Sequence, residues 1–147
     1  MKRKSLVIVG LSALLSTFIF VGVAKAQTVK SSDLVTVAKG QTVDSMLFAT
    51  GKTIVIDGTI NGDLFCAGQS VSISGTINGD VFCAAQTLRI TGVVDGSVRA
   101  AGQTVTYNAD ATGSVSLAGQ VVTLEDSAIV GRDLLVGANS MSLQGTI

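Results

Sequence analysis

A block of twelve residues returns after seventeen positions, and this repeat limits what the chain can fold into. Residues 58–69 read GTINGDLFCAGQ, and residues 75–86 read GTINGDVFCAAQ. Weaker copies follow in the same register as GVVDGSVRAAGQ at 92–103 and GSVSLAGQ at 113–120. A repeat of about twenty residues is typical of a solenoid, in which each unit is one coil that buries its apolar face against its neighbours.

Apolar residues form five columns that continue from one coil to the next. The columns begin at Val43, Leu47, Ala49, Ile54 and Ile56, and each returns an apolar or nearly apolar residue at every seventeenth position as far as residue 124. Two extra residues enter at 125–127, after which the columns resume. Within a coil the apolar positions alternate with others, which is the period of strands with one buried face.

Small residues interrupt this alternation at three places in each coil. In one coil they are Gly58, Gly62 and Gly68, and the following coils repeat the pattern. Glycine allows the positive φ angle or the close backbone approach that a sharp corner needs. Three corners predict an all-β fold, namely a three-sided parallel β-helix over residues 34–147 with a 17-residue repeat and about six to seven coils, stacked about 4.8 Å apart.

The first 26 residues are predicted to be a secretory signal peptide. Residues 1–4 read MKRK, residues 6–23 are apolar, and residues 24–26 form an A-x-A cleavage site. The apolar run is long for a signal core, so a retained membrane anchor is the alternative. In both cases the basic start stays inside, which places the repeats outside, at the cell surface or on the outer face of the membrane. Residues 27–33 form a short polar lead-in.

Composition disfavours several classes of function. Residues 27–147 carry six Lys and Arg against ten Asp and Glu, a net charge of −4, which disfavours nucleic acid as a partner. The chain has no His, so it lacks the commonest general base and the commonest imidazole metal ligand. Its Arg and Asp residues are scattered among the coils. We therefore expect no enzyme, no cofactor and no small-molecule substrate.

Paired polar residues recur at one corner of the coil. Asn61 and Asp63 return as Asn78 and Asp80. One carboxylate per coil is too little for calcium, which takes about six to eight oxygen ligands, and Asx turn chemistry accounts for the pattern. We expect no metal site there.

The stretches GTINGDL, GTINGDV and GVVDGSV resemble the repeats of the bactofilins, which run in the style G-x-[VI]-x-G-[DN]-[VI]. The resemblance covers roughly residues 40–147. It implies a right-handed three-sided β-helix that polymerises end to end without a nucleotide and acts as a membrane-associated scaffold. Bactofilins are typically cytosolic, whereas this chain carries a predicted export signal. The expectation is an exported scaffold whose partner is a further copy of itself, with a membrane or cell-envelope component as a second partner.

The ends of such a helix are the predicted assembly surfaces. An end exposes unpaired backbone groups and an open apolar interior, which form a template for another chain. The sequence stops in mid-repeat without a polar cap, as expected either of a stacking coil or of a piece of a longer protein. The residues predicted to form the assembly interface are Val35, Val37, Val43, Leu134, Val136, Met141 and Leu143.

Two outward faces offer an alternative to assembly. Phe48, Phe65 and Phe82 form a predicted ladder, interpreted either as a lateral or partner surface or as stacking that only stabilises the coils. A second face is rich in Ser and Thr, which is common on solvated strands. The alternative function is a monomeric envelope module that binds a partner or a glycan through one of these faces. The predicted hydroxyl positions are Ser70, Ser72, Ser74, Thr87, Thr91, Thr104, Thr106 and Thr123.

Cys66 and Cys83 fall in one inward column on neighbouring coils. Their Cα atoms are expected about 4.8 Å apart, within the disulfide range, and export permits oxidation. The other interpretation is two packed thiols that act as small apolar residues. We favour the thiols, because in-register parallel neighbours point side by side and would strain a bridge. Since no His or cation lies in register, neither is expected to be a nucleophile.

Overall fold

The computed structural model describes residues 28–147, and the predicted signal or anchor at 1–26 lies outside the described residues. The described part contains fourteen strands and no helix. All strand pairs in it are parallel. The predicted all-β parallel solenoid is therefore confirmed. Within residues 28–147, no helix has the length and apolar character needed to cross a membrane.

Long and short strands alternate along the chain. The first coil has two four-residue strands, β1 (Thr28–Ser31) and β2 (Leu34–Val37), where every later coil has one ten-residue strand. The long strands are β4 (Leu47–Ile56), β6 (Leu64–Ile73), β8 (Val81–Ile90), β10 (Val98–Tyr107), β12 (Val115–Leu124) and β14 (Leu134–Leu143). The short strands are β3 (Thr42–Val43), β5 (Thr59–Ile60), β7 (Thr76–Ile77), β9 (Val93–Val94), β11 (Asp110–Ala111) and β13 (Ile129–Val130).

Each coil has three sides because every long strand bends in its middle. β1 pairs with residues 47–50 of β4, and β2 pairs with residues 53–56 of the same strand. Burial alternates in each half of β4 and loses its alternation between the halves, where the strand turns a corner. The short strands form the third side as a separate six-stranded sheet. The predicted three-sided coil is confirmed by this division.

The strand register confirms the five predicted apolar columns. Val71, for example, lies between Ile54 of the coil before and Leu88 of the coil after, in steps of seventeen residues. Every column member from residue 47 to residue 130 is at most 6% exposed. Full burial of one such side chain contributes about 1.5–3 kcal/mol. The columns therefore form one continuous core along the axis, and among residues 28–147 it contains no buried charged group.

Two turns insert extra residues at the same corner of the coil. The step from β12 to β14 is nineteen, because Glu125 begins a turn in which its carbonyl accepts the N–H of Ala128 at 3.1 Å. The predicted insertion at 125–127 is thus confirmed. In the first coil the Ala38 carbonyl accepts the N–H of Gln41 at 2.9 Å, and the step from β2 to β4 is likewise nineteen. Five regular coils lie between these turns.

The solenoid begins earlier than the sequence suggested. Residues 27–33 were expected to be a polar lead-in, yet β1 pairs in register with the first half of β4. The reason is that backbone pairing does not need apolar side chains, and Thr28 and Lys30 occupy inward positions with polar groups. The described solenoid therefore counts seven coils, the first of them partly polar.

The corner glycines serve close backbone approach rather than unusual backbone angles. Of the residues described, Gly40 has a positive φ (84°), and the corner glycines do not. A Cβ on Gly96 would clash with the carbonyl oxygen of Gly79 in the coil before. This corner holds glycine in four consecutive coils, from Gly62 to Gly113. The bend of the long strand is less strict, because its glycine column contains Ala85.

Gly96→Ala should destabilise the fold more than Gly102→Ala, although both add one methyl group. Each added Cβ meets a carbonyl oxygen of the coil before, but the column of Gly102 already accommodates Ala85 directly beneath it. We expect Gly96→Ala to lower the free energy of unfolding by about 1–3 kcal/mol. Denaturant unfolding followed by circular dichroism measures both. Equal losses for the two variants would contradict the assignment of the strict corner.

Candidate functional site

The C-terminal coil exposes the apolar columns that earlier coils bury. Among residues 28–147, β14 pairs with β12 on one edge and has no strand on its other edge. Met141 is 49% exposed and Leu143 is 48% exposed, whereas their column neighbours in β12 are fully buried. Leu134 and Val136 are half-buried on the same strand. The four residues predicted at this end therefore lie together on one open apolar surface, which we call the open end.

The N-terminal coil is not a matching apolar surface. Val35 and Val37 are buried, at 2% and 0% exposure, and Val43 is half-buried. Thr28 and Lys30 stand in register with inward apolar residues of β4. The three residues predicted for assembly at this end are therefore part of the core, and the first side of the coil presents polar groups instead.

The three predicted phenylalanines form a continuous outward stack. Ring centroids of Phe48 and Phe65, and of Phe65 and Phe82, are 4.8 Å apart, with interplanar angles of 14° and 4°. The Arg99 guanidinium continues the stack over the Phe82 ring, 5.1 Å from its centroid. Such cation–π contacts stabilise by about 0.5–1 kcal/mol at exposed sites. We call the whole outward column the ridge; its members are Val29, Phe48, Phe65, Phe82, Arg99, Ser116 and Leu135.

A column of small residues runs beside the ridge and was not predicted. We call it the trough, and ridge and trough together the aromatic face. The sequence signal was present, because each ridge residue is followed two positions later by a small one, as in FCA. The trough consists of Ser31, Thr50, Ala67, Ala84, Ala101, Ala118 and Gly137.

Two shallow depressions lie on the aromatic face. One, of about 290 Å³, is bounded by the three phenylalanines and the neighbouring trough residues. The other, of about 460 Å³, lies where the ridge has only Ser116 between Arg99 and Leu135. Leu135 is 70% exposed. The face is thus an uneven and mainly apolar surface, with projecting side chains along most of the ridge and hollows along the trough and at Ser116.

The Ser/Thr face is present, but two of its eight predicted residues lie elsewhere. Six of the eight hydroxyl residues lie on the second half of the long strands and stay partly or fully exposed. Ser74 and Thr91 instead lie at the following corner, where Ser74 donates to Asp57 at 2.5 Å and Thr91 donates to the Ile73 carbonyl at 3.5 Å. Arg89 interrupts the face and forms an ion pair with Glu125 at 3.5 Å. No ordered array of hydroxyls results.

The two cysteines form a disulfide, and the preference for free thiols was wrong. Cys66 and Cys83 are bonded across neighbouring coils, with their Cα atoms 4.6 Å apart. That separation lies within the disulfide range of about 4.4–6.8 Å, so side-by-side placement in one column brings the sulfurs together instead of preventing the bond. Both residues are buried. The bridge therefore lies beneath the aromatic face and joins two coils covalently.

The corner carboxylates bind backbone and amide groups along the axis. Asp63 accepts the N–H of Asp80 at 2.9 Å, and Asp80 accepts the N–H of Ser97 at 2.7 Å. Asn78 donates to Asn61 at 2.7 Å. These contacts join residues seventeen positions apart on neighbouring coils, whereas an Asx turn bonds a side chain to its own backbone two residues on. The predicted Asx turns are therefore replaced by bonds between coils. No group of three His, Cys, Asp or Glu placed to hold a metal ion occurs within residues 28–147.

Tyr107 is the polar exception inside the core. Its side chain is fully buried, and its hydroxyl has no hydrogen-bond partner among the described residues. Burial first, and the negative charge of Asp110 second, raise the pKa of the Tyr107 phenol above its usual range. The phenol is therefore neutral at any ordinary pH. Its bulk occupies a column that elsewhere holds Val, Ile or Leu, and the same coil compensates with the small Ala111.

The exposed surfaces on the described residues with the clearest organisation are the open end and the aromatic face, and both are apolar. Comparisons of the chain with protein-family models, with curated proteins and with solved structures found no match. The resemblance to bactofilins therefore stays a prediction.

Loss of the disulfide should lower stability by a similar amount in three variants. The bridge closes a loop of 17 residues, for which the loss of entropy in the unfolded chain predicts about 3 kcal/mol. Cys66→Ala, Cys83→Ala and the double variant each remove the whole bridge. We expect similar losses in the free energy of unfolding, measured with denaturant. A double variant about twice as destabilised as either single variant would show that the residues contribute by packing alone.

Tyr107→Phe should stabilise the fold, most strongly at high pH. Removing a buried hydroxyl without a partner relieves a penalty of about 1–3 kcal/mol. The raised pKa in the folded state means that the unfolded phenol loses its proton first, so stability falls as pH rises through about 10, the ordinary value. Because the chain has one Tyr, ultraviolet absorbance of phenolate reports this residue alone. Ionisation near pH 10 in the folded protein would contradict the burial of the phenol.

Proposed function

We propose that the protein is a structural scaffold that assembles end to end by stacking β-helices, outside the cytoplasmic membrane. The observation that carries the proposal is the open end. A coil edge with unpaired backbone groups and half-exposed Met141 and Leu143 is a template for another strand. Stacking a further coil about 4.8 Å away would extend the same apolar columns without a new kind of contact.

The energetics of such stacking follow those of the inner coils. The inner members of the Met141 and Leu143 columns are buried because a further coil covers them. A stacked coil would bury Met141 and Leu143 in the same way, and each full burial contributes about 1.5–3 kcal/mol. Association also costs about 4–15 kcal/mol of translational and rotational freedom. A single apolar row does not offset that cost, so the backbone pairing along β14 has to form as well.

The partly polar N-terminal coil shapes the assembly. Thr28 and Lys30 would meet a stacked copy at the side that is polar, and Val35 and Val37 of β2 are already buried, so they gain little from stacking. The open end therefore gains more apolar burial on stacking than the N-terminal end does. Support for continuous filaments, and not only for paired open ends, comes from the resemblance to bactofilins. Support for a place outside the membrane comes from the predicted export signal at residues 1–26.

A second candidate is a monomeric binding module of the cell envelope. The observation that favours it is the aromatic face, whose hollows of about 460 and 290 Å³ lie beside exposed side chains such as Leu135. Under this proposal Phe65→Ser would abolish partner binding and Leu143→Lys would not. Under the scaffold proposal Leu143→Lys is the variant that matters.

Leu143→Lys should abolish end-to-end assembly of residues 27–147, the form that cleavage of the predicted signal would leave. A charge at the open end would have to be buried on stacking, which costs far more than an apolar contact gains. Negative-stain microscopy across a concentration series should show filaments a few nanometres wide for the unaltered chain and separate particles for the variant.

Ser142→Lys is the matched control for this experiment. It adds the same charge to the same strand, next to Leu143, but Ser142 points outward in a column that already accommodates Arg89 between two coils, so stacking does not bury it. Filaments should persist in this variant. Monodisperse single particles of the unaltered chain at every concentration would contradict the scaffold, and growth that stops at two copies would contradict continuous filaments.

A further inference from the structure

The aromatic face pairs a large residue with a small one on nearly every coil. Phe65 in the ridge stands beside Ala67 in the trough, Phe82 stands beside Ala84, and Leu135 stands beside Gly137. All of the trough residues are exposed. Because ridge and trough run parallel to the axis, the face has the relief of one half of a zipper. A complementary surface needs the opposite order, with small residues facing the ridge and large ones facing the trough.

We propose that the aromatic face pairs with the same face of a second copy of this chain, so that each ridge lies in the trough of the other copy. A two-fold axis parallel to the solenoid axis exchanges the two columns. Phe82 of one copy then faces Ala84 of the other, on the same coil, and the reverse contact forms at the same time. Two sheets packed about 10 Å apart with interdigitated side chains have the geometry of a steric zipper.

The opposite orientation fits less well. A two-fold axis perpendicular to the solenoid axis would place each column against itself, running in reverse. With all seven coils overlapping, Phe82 would then face Phe82, large against large, and Val29 would face Leu135. The parallel arrangement instead places Arg99 opposite Ala101, where the guanidinium keeps its contact with the ring of its own Phe82.

The area of the face determines how many copies are needed for this pairing to be stable. Seven coils at about 4.8 Å and four residues at about 3.3 Å give a face of about 29 by 10 Å, hence about 600 Å² buried by two copies. Specific interfaces bury about 1,200 Å² or more. Two isolated chains therefore do not pair stably, whereas two stacked chains on each side reach the required area. The inference thus rests on the proposed end-to-end assembly and names lateral pairing of the stacks as its consequence.

The repeated relief of the face favours a second copy over a membrane or an unrelated protein as its occupant. Only a copy carries the same relief at the same spacing on every coil, so the number of matched contacts grows with each added chain. Such repetition turns weak single contacts into strong association. Arg99 is the one charged residue on the described face. The two-fold axis puts the Arg99 of both copies on one coil, so their desolvation is the main cost that the apolar contacts must exceed.

The test exchanges large and small residues on one coil of residues 27–147. Ala84→Phe should abolish paired filaments and leave single ones, because two phenylalanines would meet across the interface. Adding Phe82→Ala to that variant restores one large and one small residue in exchanged columns, so pairing should return. Cryo-electron microscopy of filament widths is the measurement, with the unaltered chain expected to give paired filaments. Gln86→Phe, on the exposed corner of the same strand, is the control and should leave pairing intact.

Each outcome decides between the two proposals. Single filaments of the unaltered chain, or paired filaments of Ala84→Phe, would overturn the zipper while leaving end-to-end assembly standing. The absence of any filament in the unaltered chain would overturn both. Capture of lipid vesicles of neutral phosphatidylcholine by the single filaments would assign the face to a membrane and overturn the zipper. Should Ala84→Phe fail to fold by circular dichroism, Ala101→Leu tests the same contact one coil away, and retained pairing there overturns the proposal.

Discussion

Backbone pairing between successive coils is the interaction on which the rest of this structure depends. Each coil must return to the same three sides after 17 residues, because the coil before it offers hydrogen bonds at fixed positions. The pairing of Cys66 with Cys83 and of Phe65 with Phe82 follows from that return, with no separate cause. A disulfide inside and an aromatic stack outside are thus two consequences of one register. The same register turns any side chain into a column, so its chemistry is repeated along the axis.

Much of the fold could be predicted because equivalent positions of successive coils can be compared within the one sequence. Ile54, Val71 and Leu88 lie in one column, and their shared apolar character at a fixed spacing reveals the inward face. The start of the solenoid could not be found in this way, since Thr28 and Lys30 pair through their backbones and carry no apolar signal. The disulfide was misjudged for a different reason. The Cα spacing was known, but the direction of neighbouring side chains was taken to oppose the bond.

Some of the candidate surfaces could likewise be predicted from the sequence, and others could not. The exposed phenylalanines were visible as outward positions of a strand, and the open end was visible as apolar columns that stop at Met141 and Leu143. The trough was missed because alanine gives no signal by itself, and its meaning depends on the large residue beside it. Burial at the N-terminal end was missed because the sequence does not say how far Val35 and Val37 are covered. A surface formed by a column of large residues beside a column of small ones is recognised only when both columns are considered together.

The two turns that interrupt the repeat, near Gln41 and near Glu125, stand at the same corner of the coil. The stretch between them is therefore a whole number of coils, here five, bounded at each end by a turn with the same kind of backbone hydrogen bond. Duplication or deletion of one 17-residue unit would leave both turns aligned and change the length of the rod by about 4.8 Å. A change in repeat number would thus change the length of this protein in steps of one coil, while both ends kept the same side chains.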